Sequence, residues 1–190
     1  VLGAGDLRPE HLATLGRPWK ILTTGVAVKP YPSCACTHSI IDGARELRER
    51  HRLRPDDIRE VPVGVHAPVP NILIHARPRT GLEGKFSGVR AAAAALVEEH
   101  LGLQTFTDAK VQDPAIRGLM SRVKMVVDPS IDGGHERHMW TRVRVHLTDG
   151  RTLCSKIGVA CESRLISLRN SASRTSALPG NPVMERKLAL

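Results

Sequence analysis

Between Trp140 and Leu147 polar and apolar side chains alternate: Val143, Val145 and Leu147 against Arg142, Arg144 and His146. A period of two is the signature of a half-buried strand, one face on a core and the other in water. Thr148-Asp149-Gly150 follows as a turn, so Arg151 to Val159 is expected to return as the second arm of a hairpin. Ile58 to Val65 alternates similarly, and Pro62 within it predicts an edge position. Lys124 to Val127 reads as a further strand, and Val69 to Ala76 as a short strand or a loop.

The period changes elsewhere. Ile40, Ile41, Ala44 and Leu47 fall on one side of a helix expected over 40–53, with Arg45, Glu46, Arg48, Glu49 and Arg52 on the others. Thr37 or Ser39 is placed to cap it, and Glu46 precedes Arg50 by one turn in the favourable order. Lys85 to Leu101 carries five consecutive alanines, a strong helix former with a thin packing face. Asp113-Pro114 is a cap and first-turn pair for a helix through about Arg122. Nearer the N-terminus, Pro9 to Leu15 reads as a short helix closed by Gly16 and Pro18, and Trp19 to Val28 as a strand. Residues 163–190 lack clear periodicity and are expected to form a partly ordered tail with a short helix at 183–190. These elements add up to an α+β fold: a mostly antiparallel sheet of about four strands with helices packed on one face. The expected organisation is an extension over 1–18, the α+β domain over 19–160 and the tail over 161–190.

Composition narrows the picture. The 190 residues suffice for one domain with a real core. Only 3% are aromatic, so that core is built from Val, Leu, Ile and Ala. A formal charge of +9 favours anionic partners. The basic residues are dispersed, however, and no zinc-finger spacing, RNA-binding aromatic signature or phosphate loop accompanies them, which argues against a nucleic-acid binder. Cys34, Cys36, Cys154 and Cys161 do not have the spacing of a structural zinc site, and no metal or cofactor is implied. No apolar run approaches the length of a membrane span, and reduced thiols in a cytoplasmic protein are expected.

The chemistry gathers in Lys29-Pro30-Tyr31-Pro32-Ser33-Cys34-Ala35-Cys36-Thr37-His38. Two prolines stiffen its middle into an extended arm. An arm that runs into a helix N-terminus is suited to holding an anion, although loop punctuation and a solvated cap explain the same residues by themselves.

The strings KPYPSC…THSIIDGA, RPRTGLEGKFS, AAAAALVEEHLGLQTFTDAKVQDPAIRGLMSRVKMVVDP and VRVHLTDGRTL, in this order, resemble the C-terminal half of the MmgE/PrpD family. That family includes 2-methylcitrate dehydratase, cis-aconitate decarboxylase and iminodisuccinate epimerase. The resemblance implies proton abstraction next to a carboxylate, on a small di- or tricarboxylic acid, and commonly a homodimer. It implies Lys29, Cys34 and His38 as catalytic candidates, with Tyr31, Arg79, Lys85 and Ser87 around the substrate. Where the family usually has a tyrosine, this chain has Arg90. Members also carry a helical N-terminal domain that supplies much of the active site. Two expectations follow: a lid domain inactive without a helical partner domain or chain, or a non-catalytic remnant or interaction module of the same fold.

Overall fold

A computed structural model describes residues 13, 15–19, 21–22, 28–131 and 140–157. The chain divides into two compact units, one over 29–164 and one made of 1–28 with 165–190. In the second of these, Ile21 and Leu22 are helical and the Leu22 amide bonds the Trp19 carbonyl at 2.9 Å, so the strand expected from Trp19 does not start there. Most of the helix expected over 9–15 and all of the tail, Cys161 included, lie outside the described residues.

The unit over 29–164 holds the sheet. Helix α1 (Ala35–His51) leads through a 3-10 turn (Pro55–Asp57) into β1 (Ile58–Val65). A second 3-10 turn (Val69–Asn71) and an irregular stretch reach α2 (Gly81–Gly84) and α3 (Gly88–Val97). A third (Leu103–Phe106) precedes α4 (Asp108–Val111) and α5 (Pro114–Met120). The strands β2 (Val123–Val127), β3 (Thr141–Leu147) and β4 (Thr152–Ile157) complete the order. The α+β class holds, and the sheet runs β2-β1-β3-β4. Its β1–β3 and β3–β4 pairs are antiparallel, but β1 and β2 are parallel, so the sheet is mixed.

Pro62 is therefore not on an edge. It lies in β1, between β2 and β3, opposite Lys124 of the parallel partner. Pairing of β1 with β3 passes from Glu60↔His146 to Val63↔Val143, skipping Val61 and Pro62. A residue without an N–H is accommodated where that ladder is interrupted. The β3 alternation is as expected: Thr141, Val143, Val145 and Leu147 are buried, with Arg142, Arg144 and His146 half-exposed between them.

Helices α1 and α3 pack against each other and onto the sheet. Ile40, Ile41, Ala44 and Leu47 of α1 face the alanines of α3 and the valines of β1 and β3 in one core. Gly43 makes this approach possible, because a Cβ there would stand 2.9 Å from Val143 Cγ2. Ser39 and Thr141 share a buried hydroxyl hydrogen bond of 2.7 Å that fixes α1 along β3.

Helix boundaries differ from expectation for identifiable reasons. Helix α1 begins at Ala35, not Ile40, with Cys34 as N-cap and no side-chain cap. The Thr37 hydroxyl, expected as a cap, instead donates to the Cys34 carbonyl at 2.7 Å. The helix expected over 85–101 is shorter: Ser87 Oγ accepts the Arg90 amide at 3.1 Å and starts α3 there. Asp113 caps α5 as expected, accepting the Ala115 amide at 2.9 Å.

Candidate functional site

The extended arm folds back on itself. The Ser33 amide bonds the Tyr31 carbonyl at 2.8 Å, and Lys29 Nζ donates to the Ser33 carbonyl at 3.2 Å. The Cys34 amide reaches across to the Lys85 carbonyl at 3.0 Å, joining the start of α1 to the turn before α3. Between them lies a pocket of about 270 Å3 lined by Lys29, Pro32, Ser33, Cys34, Lys85 and Phe86. Three sequence candidates, Lys29, Cys34 and Lys85, thus meet around one concavity.

Tyr31 and His38 do not line it; they form its buried support. Tyr31 is 3% exposed and its phenol donates to Asp42 Oδ1 at 2.6 Å, while Arg45 Nη1 donates to the phenol oxygen at 3.3 Å. Burial, followed by the Asp42 carboxylate, raises the phenol above its usual pKa. The His38 ring meets Tyr31 edge-on, with centroids 5.5 Å apart, and its buried Nε2 has no hydrogen-bond partner. Burial is the main cause that pushes its pKa below 6.5, with nearby Lys29 acting in the same direction, so the imidazole is neutral at pH 7.

The remaining candidates have structural partners. Ser87 is buried as the cap of α3. Arg79 is exposed; its amide bonds Glu83 Oε2 at 2.6 Å and its carbonyl accepts from Gln112 Nε2 at 2.8 Å. The buried Cys36 thiol is pushed up to about 12 by desolvation and by the adjacent Cys34. Cys34 is half-buried and Cys154 exposed, both free thiols. Among the described residues no three His, Cys, Asp or Glu side chains come together as metal ligands.

Asp42 was missed in reading the sequence, although it sits one turn beyond His38. The signal was available: a carboxylate on the same side of α1 as the histidine, facing a preceding aromatic. Ser33 and Phe86 were missed as pocket walls because nothing local shows that the arm and the α3 turn meet.

A family model of the MmgE/PrpD C-terminal domain matches residues 31–163, a span that takes in α1, the pocket residues from Pro32 to Phe86 and α3. The chain belongs to the MmgE/PrpD family. No curated protein matches the sequence. The matched span of this MmgE/PrpD domain starts at Tyr31 and takes in α1, α3 and all four strands. Among the described residues no helix is long and apolar enough to cross a membrane.

Against that family background Arg90 stands out. It is fully buried, and its guanidinium lies over the Phe106 ring with Cζ 5.3 Å from the centroid. Nη2 donates to the Thr105 carbonyl at 2.5 Å and to the Lys110 carbonyl at 3.4 Å, while Nε and Nη1 have no partner. Desolvation lowers its pKa, and the charges of Glu98 and Asp113 oppose that. Arg90 thus ties α3 to the segment over 105–110, and it is absent from the lining of the Lys29 pocket.

Proposed function

We propose that this chain is the α+β domain of an MmgE/PrpD-type lyase or isomerase acting on small di- or tricarboxylic acids, in the manner of 2-methylcitrate dehydratase. The observation that carries the reading is that Lys29, Cys34 and Lys85 line one pocket. Two ammonium groups match two carboxylates, and each is a compact, strongly hydrated donor that can release or take a proton when its surroundings change. Lys29 is assigned to carboxylate binding or acid–base work, Lys85 to the second carboxylate and Cys34 to a supporting position. His38 holds the arm from behind as a neutral imidazole. Tyr31, Asp42 and Arg45 fix the arm's shape, which keeps Lys29 in place without spending its charge.

In this reading the pocket is one wall of an active site. A helical domain, on the same polypeptide or on a partner chain, supplies the other wall, and a homodimer is the expected assembly. The experiment is turnover of 2-methylcitrate and of cis-aconitate by the chain alone and after addition of a helical domain of the family. Turnover is expected only in the combined sample, with a loss of at least about 100-fold in Lys29→Ala, the scale of a lost acid–base group. Robust turnover by the chain alone would remove the requirement for a second wall.

Arg90 favours a second reading, a non-catalytic module of the same fold. Its side chain is committed to interior carbonyls at the position where the resembling family usually places a phenol. If Lys29→Ala leaves both turnover and carboxylate affinity unchanged in the combined sample, this second reading replaces the first.

A further inference from the structure

The end of α5 and the segment at Ala76 and Arg77 border a second, solvent-facing cavity, of about 380 Å3, that shares no lining residue with the Lys29 pocket. Arg77 and Arg117 reach it from separate elements, with Ser121 beside them. Val89, Met120 and Val123 form its apolar wall. None of its lining residues is acidic, and no carboxylate among the described residues pairs with either guanidinium. Arg117 Nη1 donates to Gln112 Oε1 at 2.7 Å, a neutral partner that orients the group and leaves its charge uncompensated.

A larger basic cleft between the ends of α1 and α3 is different. There Arg45 pairs with Glu49 at 3.1 Å and Arg48 donates to the Glu98 carbonyl, while two helix C-termini bring further partial negative charge. That cleft also holds Arg52 and Arg54, but Glu49 and Glu99 line it with them, whereas the cavity of Arg77 and Arg117 has no carboxylate in its lining.

We propose that the Arg77–Arg117 cavity binds an organic phosphomonoester: a phosphate carrying a compact apolar group. A phosphomonoester bears about −1.5 to −2 charge at pH 7, matching two guanidiniums. Each guanidinium presents a planar fork of donors that fits phosphate oxygens in pairs. The wall of Val89, Met120 and Val123 receives the apolar substituent. The volume falls in the usual range of small-molecule sites, roughly 300–1,000 Å3.

The test is a titration of the 190-residue chain, followed by amide NMR, with phenyl phosphate, inorganic phosphate and benzoate. Phenyl phosphate is expected to give saturable shifts centred on Arg77, Val89, Ser121 and Val123. Arg77→Gln and Arg117→Gln are each expected to weaken it about tenfold, the scale of one charge-assisted hydrogen bond. Binding is expected to weaken from pH 7.5 to pH 5, as the phosphate loses its second charge near pH 6. Four results overturn the proposal: no saturable shift; shifts centred instead on Lys29, Cys34 and Lys85; affinity unchanged in both variants; or inorganic phosphate or benzoate binding as tightly as phenyl phosphate.

Discussion

The Tyr31 phenol and the Asp42 carboxylate, 2.6 Å apart, lock the arm that carries Lys29 onto the second turn of α1. Tyr31→Phe leaves Asp42 half-buried without that donor. It is expected to cost about 1–3 kcal/mol, the penalty of a charge-assisted hydrogen bond lost at a buried site. The measurement is urea denaturation of both proteins at pH 7. Because the folded phenol has a raised pKa, its contribution is present below pH 10 and is lost as the pH rises through the folded value. An unchanged midpoint in Tyr31→Phe would show that the phenol does not hold the arm.

His38 makes the opposite prediction on the acid side. Its folded pKa lies below 6.5, so the unfolded chain binds this proton first as the pH falls. Its contribution is present above pH 6.5 and is lost as the pH drops through the folded value. Unfolding midpoints at pH 7.5 and pH 5 are expected to differ, and the difference is expected to shrink in His38→Gln. Equal pH dependence in the two proteins counts against a buried neutral imidazole.

Arg90 is predicted to be a fold residue. Arg90→Ala removes the bonds to the Thr105 and Lys110 carbonyls and the contact with Phe106, and opens a cavity beside Gly84. A loss of about 2–5 kcal/mol is expected, as for a large-to-small change that leaves a cavity in a core. Arg90→Lys is expected to recover only part of it, since an ammonium lacks the planar fork and stacks less well. Thermal unfolding distinguishes this from an exposed arginine, for which both changes would be nearly silent.

Gly81 and Gly102 form a matched pair for testing the approach of the segment before α3 to Phe106, with Gly102, beyond α3, as the control. A Cβ at Gly81 would stand 2.0 Å from the Phe106 carbonyl oxygen, whereas at Gly102 it would meet nothing within 4 Å. Gly81→Ala is expected to destabilise by about 1–3 kcal/mol or more, as overpacking does, and Gly102→Ala by less than about 0.5 kcal/mol. Denaturant midpoints read both, and similar values for the two would contradict the close approach of the segments.

What could be read from the sequence was what depends on neighbours along the chain. The alternation in β3, the Asp113 cap and the Glu46–Arg50 pair, 3.8 Å apart, all have local causes and all stand in the structure. Pro62 misled because a residue without a donor can be placed in an interrupted ladder as well as on an edge. Thr37 misled because its hydroxyl had a choice of backbone partner and turned back to the Cys34 carbonyl. The pocket was legible one wall at a time: Lys29 and Cys34 on the arm, Lys85 before α3. That the arm meets the turn before α3 follows from the Cys34–Lys85 backbone bond, a long-range contact with no local signature.

The parallel pairing of β1 with β2 places half of this site on a long crossover. Lys85 and α3 lie on the long crossover between those strands, which the alignment of Val61 to Val65 with Val123 to Val127 closes. Closing such a loop costs chain entropy before its contacts return anything, so distant pairings are kinetically late. The arm with Lys29 precedes β1 and can form beside α1 without it. A chain caught with the arm formed on α1 and the segment of Lys85 undocked would therefore carry half a pocket, so the proposed carboxylate binding would report on the docking of both segments rather than on the arm alone.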